Sequence, residues 1–373
     1  MILAFFIFIF IFSFLIISHE LGHFFVARKA GIEVEEFGIG YPPRIWGKKF
    51  GKTLYSINWI PFGGFVKIKG EDLSEESLKD PKGFASQRPR TKAAVLIAGA
   101  AANLLTAIIL FYFFLGFNNF QTFQTQLFDY KFPFGQQDNF PAISYVVKDS
   151  PADISGLHSY DLVISANNQK MHDSKDLINF TEEHKGEEVS LIVQGIRSQE
   201  QRVIKITPRI NPPKDQGAMG VGLGDVSRLR YDGIGNKVFS GVLHTLNLGD
   251  FSFFALGHLI KASVVQGNIK PLSSSVSGPV GILAFTEMSM AGGFWQIINL
   301  IAAIALALAI ANILPIPAAD GGRLVFVLYE AIFHKQVPIK LEQKVNTFGF
   351  YLIIILLVLV TYKDIVQFKD ILF

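Results

Sequence analysis

The sequence predicts an α-helical polytopic membrane protein of about four transmembrane helices, with a small β-sheet and one α+β domain in water. Three observations predict it. Hydrophobic residues make up 50% of the 373, and mean hydropathy is +0.36, too apolar for an ordinary soluble protein. Four stretches approach the about 20 apolar residues that a helix needs to cross a bilayer. The middle third of the chain is polar, as an aqueous domain between spans would be.

The first span is read at 3–27, within a segment 1–33, and runs MILAFFIFIFIFSFLIISHELGHFFVA. Its only ionisable side chains before Arg28 are His19, Glu20 and His23. A secretory signal would carry a basic residue ahead of a shorter apolar run, and this segment has neither feature. H-E-L-G-H is H-E-x-x-H, the zinc-hydrolase signature, a pattern that also arises by chance. On a helix, positions i and i+4 share a face, so both imidazoles can reach one ion, with Glu20 beside them as general base. Ionisable groups inside a span are costly and mark function.

Residues 34–92 alternate apolar and polar residues between Gly and Pro breaks, which predicts short strands followed by a charged, turn-rich link at 71–92. The second span is 93–117, and it contains Asn103. A linker follows at 118–139, then a domain at 140–209 whose VSLIVQG and RVIKITP have the period of strands. In the connecting region 210–293, Val238, Phe239, Val242 and Leu246 are interrupted by His244, Asn247 and Asp250, which predicts an amphipathic segment lying on the membrane or against the core. The third span opens segment 294–335, and the fourth, near 348–362, lies in segment 336–373.

Lysine and arginine set the orientation. The loop from Arg28 to Lys92 is rich in both, and the link between spans three and four holds Arg323, Lys335, Lys340 and Lys344. Residues 118–130 and 271–293 hold none. Both basic links are therefore expected in the cytoplasm, with the termini and residues 117–293 outside. At 1.5 Å per residue, His23 lies within about 10 Å of Arg28, so a metal would sit toward the cytoplasmic side of the bilayer.

With no cysteine in the chain, any metal must be held by His, Asp, Glu or water. Span three ends in N-I-L-P-I-P-A-A-D-G-G, residues 312–322. Pro315 and Pro317 break the helix, and broken backbone in lipid is tolerated only where protein or water satisfies it. Asp320 follows, with Gly321 and Gly322 permitting close backbone approach. Alone, Asp320 reads as a solvated cap on the helix LVFVLYEAIF. Together with His19 and His23 it completes a two-histidine, one-carboxylate site that leaves a fourth position for water.

On H-E-L-G-H at 19–23, G-G-F-V-K-I at 63–68 and N-I-L-P-I-P-A-A-D-G at 312–321, the chain resembles the site-2 proteases, intramembrane zinc metalloproteases. It is similar to the bacterial regulator-of-sigma-E type with a single PDZ domain. The resemblance covers nearly the whole chain. It implies one zinc ion held by His19, His23 and Asp320, with Glu20 as catalytic base. It also implies that 34–70 forms a membrane-associated β-sheet which takes substrate as an added strand, and that 140–209 is an extracytoplasmic, α+β PDZ-like domain. The implied setting is the bacterial inner membrane. The implied clients are single-pass membrane proteins, such as anti-sigma factors or remnant signal peptides.

The chain departs from the family in two places. The usual G-P-x-x-N of the second span is Gly99, Ala100, Ala101, Ala102, Asn103. In the PDZ-like segment Tyr160 replaces the glycine before Asp161, and no G-L-G-F carboxylate loop stands in the expected place, so a filter on substrate size stands open beside a peptide clamp as the domain's role. Asn103 and Asn312 are assigned to substrate backbone or the water path, with helix-to-helix hydrogen bonding as the alternative. The PDZ ligand stays unassigned. A net charge of +3 gives no sign of nucleic-acid binding.

The function expected is that of a zinc endopeptidase acting within the membrane. Two other classes compete with it: a PDZ membrane adaptor with vestigial histidines, and a metal or proton transporter. Transporters often show repeated halves, which are not seen here.

Overall fold

The computed structural model describes residues 1–71, 77, 79–126, 128–196 and 200–372. The elements in chain order begin with α1 (Ile2–Lys29), β1 (Val34–Phe50), β2 (Thr53–Ile68) and α2 (Pro89–Phe117). Next come β3 (Gln121–Gln126), β4 (Gln136–Val146), α3 (Pro151–Ile154), β5 (Asp161–Ala166), β6 (Gln169–Lys170), α4 (Ser174–Glu183), β7 (Val189–Gly195), β8 (Gln201–Ile206) and β9 (Val221–Arg230). The chain ends with α5 (Ile234–Val238), α6 (Ser240–Val265), α7 (Lys270–Ser275), α8 (Pro279–Ala291), α9 (Phe294–Ile313), α10 (Asp320–Phe333), α11 (Ile339–Gln367) and α12 (Lys369–Leu372). It forms two compact units, Met1–Phe114 with Leu256–Phe373, and Leu115–Ala255.

Among the described residues five helices are long and apolar enough to cross a membrane: α1, α2, α6, α9 and α11. That is one more than the sequence reading of four. The addition is α6, whose best window has a mean hydropathy of 1.3 against 2.2 to 2.7 for the others.

In the helical unit, β1 and β2 each bend on themselves. Phe37 pairs with Val66 on one side and with Tyr55 on the other. The two bent strands thus make a small sheet of paired segments in which residues 64–68 form an edge beside α1. Gly63, at φ +78°, makes the second bend, and its N–H donates to Ser13 Oγ of α1 at 3.1 Å. Beneath the sheet, Phe24, Ile32, Phe37, Phe84 and Leu96 form a buried apolar cluster that joins α1, the hairpin and α2. The expected flexible link at 71–92 lies in part, at 72–76 and 78, outside the described residues.

Lipid tails are as apolar as leucine, so close packing and polar contacts hold spans together. Small residues do this here. A Cβ on Gly22 would lie 2.2 Å from the Ala98 carbonyl oxygen, so α1 and α2 meet backbone to backbone. Ser18 and Thr106 hydroxyls hydrogen-bond across the same seam at 2.8 Å. Lys92, 6% exposed, pairs with Glu330 at 2.9 Å and ties the start of α2 to α10.

The other unit holds a sheet in the order β3-β9-β4-β5-β7-β8, with β6 paired to β5. It extends beyond 140–209 on both sides, through Gln121–Gln126 and Val221–Arg230. Its core gathers Leu157, Val163, Leu177, Leu191 and Ile206. The Asp173 side chain caps α4 by accepting from Asp176 N at 2.8 Å. Tyr160 sits at φ +71°, a left-handed conformation that explains why a glycine is usual there.

A fully buried polar network closes this unit. Tyr231 Oη lies 2.9 Å from His244 Nδ1, and Asn247 donates to Tyr231 Oη at 3.0 Å and to the Phe134 carbonyl at 2.8 Å. Burial pushes the Tyr231 hydroxyl well above its ordinary pKa, so it stays protonated as a donor. Tyr231→Phe removes the hub and strands buried partners, so it is expected to cost about 1–3 kcal/mol in chemical unfolding. An unchanged midpoint would show that the network adds nothing to stability.

Candidate metal centre and active site

The helical geometry of α1 places His19 and His23 one above the other, their Nε2 atoms 3.0 Å apart. Asp320, the first residue of α10, brings Oδ2 to 3.0 Å from His19 Nε2 and 3.3 Å from His23 Nε2. All three ligand atoms lie within 4.8 Å of one another. Asp320 Oδ2 is buried and accepts no well-aligned hydrogen bond among the described residues. A carboxylate oxygen facing two imidazole nitrogens without such a bond fits a cation between them, and the all-nitrogen-and-oxygen donor set fits zinc.

Neighbouring backbone fixes the histidines. His23 Nδ1 lies 2.7 Å from the Val95 carbonyl oxygen. A carbonyl only accepts, so Nδ1 carries the proton and Nε2 presents its lone pair to the site. The Asn312 carboxamide stands 3.5 Å from His19 Nδ1. Asp320 is delivered by the broken end of α9. A Cβ on Gly321 would lie 2.1 Å from the Leu314 carbonyl oxygen, so only glycine lets α10 begin this close to the Leu314–Pro317 turn.

Gly99 of α2 forms the floor. A Cβ there would fall 2.4 Å from His23 Nε2 and 2.5 Å from His19 Cε1. Asn103 lies one turn further along α2, is 1% exposed, and its carboxamide oxygen has no hydrogen-bond partner among the described residues. Glu20 faces the hairpin edge, where its Oε2 accepts from Val66 N at 3.0 Å. A cavity of about 180 Å³ opens between them, lined by His19, Glu20, His23, Tyr41, Val66 and Asp320. Asn103 and Asn312 do not line it.

The structure therefore brings His19, Glu20, His23 and Asp320 to one cavity, although about 300 residues separate the histidines from the aspartate. Sequence reading gave no role to the Val66 amide, the Val95 carbonyl or Gly99. Backbone groups leave no trace in residue identity. Gly99 had a signal, its place in the altered G-P-x-x-N pattern.

Comparison with known proteins gives a match to the model of peptidase family M50 over residues 7–356. The chain belongs to peptidase family M50. Relatives of this M50 peptidase include a Clostridium perfringens protein bearing the name of a zinc metalloprotease, 32% identical over 355 residues, 95% of this chain and 96% of that one. The zinc metalloprotease RasP of Geobacillus kaustophilus is 25% identical over 437 residues, 97% of each chain. Among solved structures, the PDZ domain of an SdrC-like protein from Listeria monocytogenes matches at 20% identity, over 22% of this chain and 86% of that one. Its TM-score is 0.20, a likeness too slight to assign a fold. This M50 peptidase is a membrane zinc metalloendopeptidase of the site-2 protease family.

Proposed function

We propose that the chain cleaves transmembrane segments of single-pass membrane proteins, with His19, His23 and Asp320 as zinc ligands and Glu20 as general base. One observation carries this reading: three ligand atoms within 4.8 Å, two of them on an apolar 28-residue helix. Zinc, when bound, supplies the Lewis acidity that makes water nucleophilic near neutral pH and polarises the scissile carbonyl. Glu20 takes the proton from water and returns it to the leaving amine. The Val66 N–H holds one Glu20 oxygen and leaves the other for that proton. The Asn312 Nδ2 faces His19 Nδ1 at 3.5 Å; an exchange of its amide O and N would let the oxygen accept the Nδ1 proton and orient that ring. Asn103, with an unpartnered buried oxygen, is assigned to a substrate amide or to water.

A helix shields its own amides, so the scissile bond must be extended before attack. Strand addition to the 64–68 edge, beside Glu20, achieves that. The basic links support a cytoplasmic side for the 34–92 region and an extracytoplasmic one for the unit around 140–209, in an inner-membrane setting. That outer unit is read as a PDZ-like filter on substrate size, and anti-sigma factors or remnant signal peptides as clients.

The test is reconstitution in liposomes with a panel of single-span substrates, the products mapped by mass spectrometry. Cleavage inside the span, abolished by chelation and restored by zinc, is the expected result. Cleavage confined to aqueous segments would overturn the intramembrane reading.

A further inference from the structure

The edge strand at 64–68 does not end free. Beyond Ile68 the chain turns to Glu71, where Arg323 of α10 receives it. Arg323 Nη1 is ion-paired with Glu71 Oε1, and Nη2 donates to the Glu71 carbonyl oxygen at 3.2 Å. The guanidinium also lies over the Phe84 ring, 5.4 Å from its centroid. Arg323 is thus bound at its side chain, its partner's backbone and an aromatic face, an arrangement that lysine's point charge cannot reproduce. It stands one helical turn from Asp320, on the same α10.

Cavities converge on this pair. Glu71 lines the metal cavity of about 180 Å³. Glu71 and Arg323 together line two more, each of about 440 Å³. One follows the strand through Phe65, Lys67 and Gly70, and the other reaches Asn346 and Tyr351 of α11. A peptide laid along the edge therefore meets the Arg323–Glu71 pair where it leaves the metal.

We propose that the Arg323–Glu71 pair is a clasp that holds the edge strand in fixed register against the metal-bearing helix, and so sets which peptide bond of an extended substrate reaches the metal. Arg323 is a positioning residue. The inference rests on the function proposed above and adds a determinant of cleavage position to it. Without the clasp, the strand loses its ion-paired tie to α10; a misplacement of about 1 Å can cost about 10²-fold in rate, and a slip of about 3.3 Å, one residue along an extended chain, brings a neighbouring bond to the metal.

The experiment uses the full-length protein with a single-span substrate, and reads zinc content, kcat and KM separately, and cleavage position by mass spectrometry. Wild type is expected to cut mainly at one bond. Arg323→Ala is expected to keep one zinc per chain, lose about tenfold in kcat and cut at several adjacent bonds, with faster amide exchange over residues 64–71. Arg323→Lys should restore part of the rate, and the exchanged pair Arg323→Glu with Glu71→Arg should recover a single dominant cut. Arg323→Ala with unchanged kcat and an unchanged single cut overturns the clasp. Arg323→Ala that loses zinc, with neither Arg323→Lys nor the exchanged pair recovering a single cut, also overturns it, because the pair would then serve stability alone. If wild type shows no cleavage that depends on Glu20, the proposed function itself falls, an outcome distinct from both.

Discussion

Replacing Gly99 by alanine is expected to empty the metal site. The new methyl carbon would lie 2.4 Å from His23 Nε2 and 2.5 Å from His19 Cε1, distances that atoms cannot share. Either both imidazoles move or α2 backs away. The second route is closed by three contacts: Gly22 packs against the Ala98 carbonyl, Ser18 bonds Thr106, and Lys92 pairs with Glu330. His23 is further tied to the Val95 carbonyl of the same α2, so a shift of that helix breaks the bond that orients it. Loss of one outer hydrogen bond costs a metal site about 10–100-fold in affinity, and moving two ligands should cost at least about 100-fold. Competition with a chelator measures it. Ala101→Gly, two residues away, is the control for a change on the same helix. Zinc bound to Gly99→Ala with wild-type affinity would mean that the ion does not sit between these rings.

Glu20→Gln is expected to keep zinc and lose hydrolysis. The amide oxygen still accepts from Val66 N, so the side chain stays in place, and no proposed ligand changes. What disappears is the capacity to take a proton. General-base catalysis contributes about 10²–10⁴-fold, so kcat should fall by that range. A fall of under about tenfold, or about 1.4 kcal/mol, would remove Glu20 from the role of base. Zinc lost in parallel would instead make Glu20 part of the metal's own environment.

These two results separate what the sequence displays from what it hides. H-E-L-G-H is legible because the two proposed ligands are local to one helix turn. Asp320 is legible because Pro315 and Pro317 break a span that has no other reason to break. Gly99 has no side chain to read, and its meaning comes from the rings that approach it across a helix seam. Val66 acts through its backbone N–H, which any residue but proline supplies, and Val95 through its carbonyl, which every residue supplies. In the Leu115–Ala255 unit, Gln121–Gln126 is a strand of glutamine and threonine with one phenylalanine, and Val221–Arg230 carries two glycines in its first half. Neither has a strong strand signature, and each becomes one through the ladder with its neighbour. In α6, the polar residues that interrupt the apolar pattern include His244 and Asn247, which are fully buried. Tyr231 and the Phe134 backbone satisfy them, so they belong to an interior network.

The central claim is that His19, His23 and Asp320 hold one zinc ion. It is tested most directly by metal analysis of two aspartate variants purified side by side. Asp320→Asn replaces a carboxylate ligand with an amide, a much poorer one, and should lose most of its zinc while remaining folded. Asp161→Asn changes a more deeply buried carboxylate, its side chain 4% exposed against 21% for Asp320, that serves structure in the Leu115–Ala255 unit. There, Asp161 accepts two hydrogen bonds from Arg202 at 2.8 Å and one from His158 N at 2.9 Å. Its loss should cost about 1–3 kcal/mol of stability and leave zinc at one per chain. Undiminished zinc in Asp320→Asn would place the third ligand elsewhere and contradict the site described here.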